Sequence, residues 1–579
     1  MFRKEFLLRH YPFCIFVLAF LLSLILALFT VMPESDIARY GSIVISFTEG
    51  DWAMVFHPRI SPLVPLIAGV VAWVTGAGAF FALQLVSTLF FALQIFPLYG
   101  IFRNCFSAPV ARTALLMSAF ASIPLRYGAS GLRDSAKGFF FILCVYLLVE
   151  IYRKRTDLKN YLFLGAAISL LALTRTEAPV YSGLFGLTVL CMEMISRCRL
   201  RFPWRSCLCG AVALLLISPW LIYMFQITGY FVPEIRYVAL IQRVLPADPP
   251  KRNMPATQEV PAAQPSDNKG RGGITSTQSA SAAPTFSEKH SAPTTSAPTA
   301  VHSIPTGPEL EQKRLHGMAS ALPEINATDT YDGIYKEFFS GLIGGFFPPL
   351  GILALLGIAL RFHKREWTPI ETILLISLLL HALLLVIQIR ISDNHFYISR
   401  RYLITVVALE FGWSAYGAIW IYQTLASRLK FLLDHRVIVL LYLIPCIGLY
   451  LYAFQRTIKT YTSRSKSSER IALFTISDYI RSDYHGPKTF LREKRSDQEF
   501  QTNRLPAVLS EFPQLGFLSG GQTISLADPL FAEGKLTPDY IVCRPGRFSA
   551  ETLEKMGYLF RRSFRAGKNQ YELFVRRQK

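Results

Sequence analysis

Four short stretches of this sequence combine acidic and basic side chains in ways that could do chemistry. Asp36 stands in Pro33-Glu34-Ser35-Asp36-Ile37-Ala38-Arg39-Tyr40, and Asp134 in Gly131-Leu132-Arg133-Asp134-Ser135-Ala136-Lys137-Gly138. Arg175 and Glu177 share Thr174-Arg175-Thr176-Glu177-Ala178-Pro179, and the adjacent pair Arg400-Arg401, followed by Tyr402, ends a run that begins at Arg390. A carboxylate can take the proton of a hydroxyl attacking an electrophile. A guanidinium fork matches the oxygens of a phosphate. The same residues have plainer uses. Ser35 or Asp36 can cap the helix that the pattern predicts over 36–48, Asp134 can cap the helix that follows it, and Arg175 can pair with Glu177 or reach the lipid interface.

The elements that must position these groups lie in a membrane. Of the 579 residues, 52% are hydrophobic and only 17% charged, with a mean hydropathy of +0.34, which excludes an ordinary soluble enzyme. Residues 12–32 form an apolar run long enough to cross a hydrocarbon core about 30 Å thick. This run is longer than the apolar core of a signal peptide and has no small-residue exit, so it reads as a retained anchor. Further spans fall near 79–101, 109–125, 135–152, 160–174, 178–196, 206–228, 342–361, 368–389, 402–424 and 436–454, for about eleven in all. Residues 61–76 are apolar but short, and prolines stand near their start.

Basic residues decide whether 61–76 crosses. The chain has 60 Lys and Arg against 39 Asp and Glu, a net charge of +21. If 61–76 stays on one side, then Arg103 and Arg112, Arg153 to Lys159, Arg197 to Arg205, Arg361 to Arg365, and Arg428 to Arg436 all join Arg3, Lys4 and Arg9 on the cytoplasmic face. If it crosses, all of those loops turn outward. The segment is therefore expected as a juxtamembrane or re-entrant helix within the first external loop. Because the basic surplus is a topology signal, no nucleic-acid partner is expected.

The chain then divides into a membrane module at 1–245 that includes the first external loop 33–78, an external insertion at 246–310, membrane helices at 311–454, and an exported domain at 455–579. The insertion is rich in Pro, Ser, Thr and Ala and is too poor in large apolar residues to offset chain entropy, so disorder is expected there. Asn326-Ala-Thr328 within the same external loop is a formal glycosylation sequon, though an unmodified spacer is the plainer reading. The tail mixes an amphipathic stretch at 467–482 and a helix-like stretch at 549–560 with the β-prone runs 539–543 and 571–575, which predicts a small α/β domain. It has neither a glycine-rich phosphate loop nor a nucleophile elbow, and reads as a cover for the membrane site. Eight of the nine cysteines lie in spans or cytoplasmic loops and only Cys543 is exported, so no disulfide forms within the external parts. Cys198, Cys207 and Cys209 cluster near the inner face but lack a fourth metal ligand.

The first external loop continues with Gly50-Asp51-Trp52 and His57-Pro58-Arg59-Ile60-Ser61-Pro62-Leu63. An Asp just after the first span, then Tyr40, Gly-x-Trp and a His-Pro/Pro-Leu segment entering an apolar helix resembles the GT-C superfamily of membrane glycosyltransferases. The likeness is to the branch that holds the protein O-mannosyltransferases (family 39) and the lipid A aminoarabinose transferases. The sequence departs from the usual Pro-Pro-Leu-Tyr by inserting Arg-Ile-Ser and by placing Val64 where Tyr is usual. The likeness is best over 10–200. Asp134 falls at the family's second acidic position, and Arg401-Tyr402 is similar to its later Arg-Tyr-Leu element.

The resemblance implies a polytopic α-helical membrane protein with a GT-C-like catalytic module, juxtamembrane helices and a small exported α/β domain. It implies an inverting transfer of a sugar from a polyprenyl-phosphate donor to a lipid, glycan or protein acceptor, at the outer face of a bacterial cytoplasmic membrane. Asp36 is then the expected base, with Asp134 orienting the acceptor or Asp36. Arg401 and Arg400, with Arg59, His57 and Arg175 behind them, are expected to bind the donor phosphate; Tyr40, Glu177 and Tyr402 line the substrate. No cofactor is expected. An oligosaccharyltransferase-like relative would hold a divalent metal with such carboxylates, but no further acidic cluster demands one. Two other classes stay open: a transporter or flippase of lipid-linked sugars, which calls for ionisable residues buried mid-span or paired broken helices, although the spans hold few such residues apart from His381, Glu410 and Glu193, and an assembly protein in which the outer carboxylates are dispensable.

Overall fold

The computed structural model describes residues 10–30, 35–50, 52–56, 60–154, 157–175, 178–197, 202–228, 348–391, 404–428, parts of 444–455, 464–484, 491–495, 498–502, 507–519, 522–525, 537–566 and 569–577. The insertion at 246–310 and the sequon lie outside these residues.

Helices stand at each place where the apolar runs predicted a crossing, apart from 436–454, which is described only in part. The first is α1 (Tyr11–Phe29). It buries Ile15, Ala19, Ser23, Leu26 and Ala27 on one stripe and exposes Phe13, Leu21, Ile25, Leu28 and Phe29 on the other, as a helix between protein and lipid must. Then come α2 (Ser35–Glu49), the single turn α3 (Trp52–Val55) and α4 (Leu63–Thr75) in the first loop. The thirteen residues of α4 rise about 20 Å. That falls short of the bilayer core. Gly76 ends α4 in the left-handed conformation, and Gly69 lets α2 approach, since a Cβ there would meet the Phe47 ring at 2.6 Å.

Next follow α5 (Ala79–Leu93), α6 (Ile95–Cys105), α7 (Ala108–Phe120), α8 (Ser122–Ala129) and α9 (Asp134–Arg153). The predicted span 109–125 is bent by 49° between α7 and α8. Beyond α9 run α10 (Leu158–Ala172), α11 (Ala178–Arg197), α12 (Trp204–Thr228), α13 (Pro348–His363), α14 (Pro369–Ile391) and α15 (Ile404–Arg428). Among the described residues, α1, α5 with α6, α9 and α12 are long and apolar enough to cross a membrane, and the bent pair α7–α8 is so when its two helices are taken as one span.

Helix α9 is the centre of the bundle. It packs against α5, α6, α8, α10, α11, α14 and α15, and is buried from Asp134 to Ile151 along most of its length. Side chains at its start are therefore held in protein, away from lipid and water. Helices α13 and α15 approach closely because Gly357 lies against the Trp413 carbonyl and Gly417 against the Leu353 carbonyl. At the other end of α13, Arg361 and Glu371 form a buried ion pair at 2.7 Å, and Glu371 also accepts from the Trp413 indole at 3.2 Å.

The tail begins with α16 (Arg464–Asp483), followed by a hairpin of β1 (Leu491–Arg495) and β2 (Gln498–Thr502). A five-stranded sheet is then built from β3 (Ala507–Ser510), β4 (Gln522–Ser525), β5 (Tyr540–Cys543), β6 (Tyr558–Ala566) and β7 (Asn569–Arg576), in the order β4-β3-β5-β7-β6. Strand β3 runs parallel to β4 and β5, and β7 runs antiparallel to β5 and β6. One face packs Val508, Val542 and Leu573 on Leu473, Ile476 and Ile480 of α16; the other packs Leu509, Ile541 and Phe574 on Leu553 of α18 (Ala550–Lys555). Both strand runs read from sequence are strands. The helix expected over 549–560 stops at Lys555, because Gly557 turns the chain left-handed (φ +86°) into β6. The short helix α17 (Pro513–Leu518) of this domain lies against α2, the helix that carries Asp36.

Candidate functional site

The site is assembled from three places. Helix α2 supplies Asp36 and Tyr40, one turn apart and so on one face. The start of α9 supplies Arg133 and Asp134, and the turn between α10 and α11 supplies Arg175. Arg175 Nη1 donates to Asp134 Oδ1 at 2.7 Å, and the Arg133 guanidinium lies over the Tyr40 ring, 4.3 Å from its centre. Burial pushes the Tyr40 hydroxyl above its ordinary pKa, with Arg133 pulling against that shift; the charges of Asp36, Arg175 and Asp134 act on the same hydroxyl. All five groups thus share one electrostatic neighbourhood.

Asp134 is 3% exposed, Arg133 7% and Arg175 8%. Charges so buried need partners. Asp134 is the first residue of α9 and its carboxylate serves Arg175, so the capping role its position suggested is not what this side chain does. Likewise Arg175 points into the protein and pairs with Asp134, and does not reach out to lipid.

Polar residues of α5 and Gln94, at its junction with α6, hold this arrangement together. The Gln84 amide donates to Ala27 O at 3.0 Å, Thr30 O at 3.2 Å and Ala129 O at 3.3 Å, tying the exit of α1 to the end of α8. Ser87 donates to Leu132 O at 3.0 Å, and Gln94 to Ser135 O at 3.1 Å. Gly131, at φ +84°, turns the chain toward Arg133 where a Cβ would come within 3.3 Å of the Gln84 nitrogen. Leu63 N, at the start of α4, donates to Leu173 O two residues before Arg175. The first loop, the second loop and the α10–α11 turn are thereby fixed to one another.

One turn beyond Asp134, buried Lys137 places its Nζ 4.6 Å from the centre of the Tyr181 ring; that ring stacks at 5.0 Å on His381 of α14. The sequence reading gave no role to Arg133, Lys137 or Tyr181. The i, i+4 spacing of Arg133 and Lys137 was a visible signal; their neighbours were not. Of the residues expected in the site, Asp36, Tyr40, Asp134 and Arg175 are brought together. His57, Arg59, Glu177, Arg400, Arg401 and Tyr402 lie outside the described residues. Among the described residues, no three His, Cys, Asp or Glu side chains converge as metal ligands.

Residues 57–223 match the family model described as dolichyl-phosphate-mannose-protein mannosyltransferase. The match spans Asp134 and Arg175 and begins after Asp36. No curated protein matches the chain by sequence. Among solved structures, ArnT from Cupriavidus metallidurans bound to undecaprenyl phosphate is similar over 98% of each chain at 14% identity, with a TM-score of 0.57. Its apo state gives 13% identity and 0.55, again over 98% of each chain. The Archaeoglobus fulgidus oligosaccharyltransferase tethered with an acceptor peptide is similar over 99% of this chain and 75% of that one, at 11% identity and a TM-score of 0.50. The chain is thus similar to that mannosyltransferase family over residues 57–223, and its fold is similar to that of ArnT along its whole length.

Proposed function

We propose that this protein is an inverting glycosyltransferase that moves a sugar from a polyprenyl-phosphate donor to an acceptor hydroxyl or phosphate at the outer face of a bacterial cytoplasmic membrane. The observation that carries this reading is the buried Arg175–Asp134 pair set beside Asp36, Tyr40 and Arg133. The family match names a dolichyl-phosphate sugar, and the ArnT structure carries undecaprenyl phosphate, both polyprenyl phosphates.

As the bond from C1 to the phosphate oxygen breaks, oxocarbenium character grows on the sugar. The acceptor oxygen bonds to C1 from the opposite face and its proton passes to Asp36. The acceptor becomes acidic only late in this step, so an ordinary carboxylate suffices as base. Polyprenyl phosphate leaves with both bonding electrons. Its charge is met by Arg401 and Arg400, with Arg59, His57 and Arg175, in a setting where cations act more strongly than in open water. Asp134, held by Arg175, orients the substrate, while Tyr40, Glu177 and Tyr402 line it. The reaction needs no cofactor or metal.

The test is transfer in vesicles from radiolabelled undecaprenyl-phosphate sugar to envelope acceptors. Wild-type protein transfers label, and Asp36→Asn, with unchanged thermal unfolding, does not. Undiminished transfer by that variant removes Asp36 as the base.

A further inference from the structure

Two side chains at the start of α9 carry polar atoms that the described residues leave unmatched. Arg133 is 7% exposed, and its Nε and Nη1 find no acceptor there. Asp134 is 3% exposed; its Oδ1 is taken by Arg175, and its Oδ2 finds no donor. Buried polar atoms of native proteins are nearly always matched, so those left over mark where a ligand atom belongs. Both side chains act on the buried Tyr40 hydroxyl, which puts the unmatched donor and the unmatched acceptor in one neighbourhood. Arg133 cannot swing away freely, since its guanidinium is held 4.3 Å from the centre of the Tyr40 ring.

The chemistry of this pair selects its ligand. An ionised phosphate would accept from Arg133 but would set its own oxygens against Asp134 Oδ2. Two neighbouring hydroxyls of a sugar satisfy both sides, one accepting from the guanidinium and the other donating to the carboxylate. Around the Tyr40 hydroxyl two cations, Arg133 and Arg175, offset two carboxylates, Asp36 and Asp134, so no net negative charge is left to draw a cationic amino sugar.

We infer that Arg133 and the free oxygen of Asp134 read the sugar of the lipid-linked donor, selecting a neutral sugar with adjacent free hydroxyls. The inference rests on the glycosyl-transfer reading above and adds the class of sugar to it.

The experiment is equilibrium binding to the full chain in nanodiscs of three lipids: bare undecaprenyl phosphate, undecaprenyl-phosphate mannose, and the amino-sugar counterpart. Wild-type protein binds the mannose lipid about tenfold or more tightly than either of the others. Arg133→Gln binds the mannose lipid no better than the bare lipid, and its affinity for the bare lipid changes less than about twofold. Equal loss for both lipids makes Arg133 a phosphate ligand and overturns the inference, as does a wild-type protein that ignores the sugar or prefers the amino sugar. If Arg133→Gln lacks a cooperative unfolding transition, Arg133→Lys, which keeps a cation but lacks the fork, is judged by the same criteria. Sugar-selective binding without transfer to any acceptor sinks the transferase reading and leaves the sugar subsite standing.

Discussion

Arg175 Nη1 donates to Asp134 Oδ1 across 2.7 Å, and so joins the turn between two helices to the first residue of α9, the most buried of the described membrane-length helices. Both partners are more than nine-tenths buried. Removing one charge leaves the other unpaired in a poorly solvated place, at a cost of about 3–5 kcal/mol. Arg175→Ala is therefore expected to lower the unfolding temperature in detergent markedly. The double variant Arg175→Gln/Asp134→Asn should recover part of the stability and none of the transfer. Full stability in Arg175→Ala would show that the pair does not hold the site.

Asp36 is expected to act in the reaction and not in folding. Asp36→Asn should slow transfer by about 10²–10⁴-fold, the range for loss of a positioned base, with little change in thermal unfolding. Parallel loss of both would return Asp36 to a helix-capping role.

Cys543 lies in the tail sheet, outside the membrane, and burial pushes its thiol up from 9.0 to about 12. The unfolded chain then loses this proton before the folded chain does. The contribution to stability is whole below pH 9, and it declines as pH rises from there through about 12. In the folded protein at pH 8, Cys543 should resist iodoacetamide and react promptly once denaturant is added. Rapid labelling without denaturant would contradict the buried strand placement.

Ile476 of α16 is fully buried against the tail sheet. Ile476→Ala should destabilise this domain by about 2–5 kcal/mol, seen as faster proteolysis of the tail in the intact protein. Because α17 of the same domain lies against α2, transfer should fall as well. Loosening of the tail with transfer unaffected would show that the domain is not needed to cover the site.

Topology can be tested separately. In a background cleared of reactive thiols, Ala77→Cys should react with an impermeant reagent added outside intact cells, and Lys364→Cys should not. The reverse pattern would overturn the parity argument from basic loops.

The sequence by itself determined which segments are helices and which enter the membrane, because hydropathy and length act locally: the runs near 79–101, 135–152 and 206–228 became α5 with α6, α9 and α12. It also marked Asp36, Asp134 and Arg175 as candidates through their positions just beyond apolar runs, and Tyr40 through the family resemblance. The partners of these residues were not legible in it. Asp134 followed a capping pattern and Arg175 stood two residues from Glu177, so local rules favoured neighbours, whereas the observed pair is separated by 41 residues. Nor did any periodicity announce that Gln84 and Ser87 hold the loops, or that Arg133 lies on Tyr40. Those relations depend on how α9 is enclosed by its neighbouring helices. Burial there makes each unmatched charge costly, and only the packed structure decides which group lies close enough to meet it.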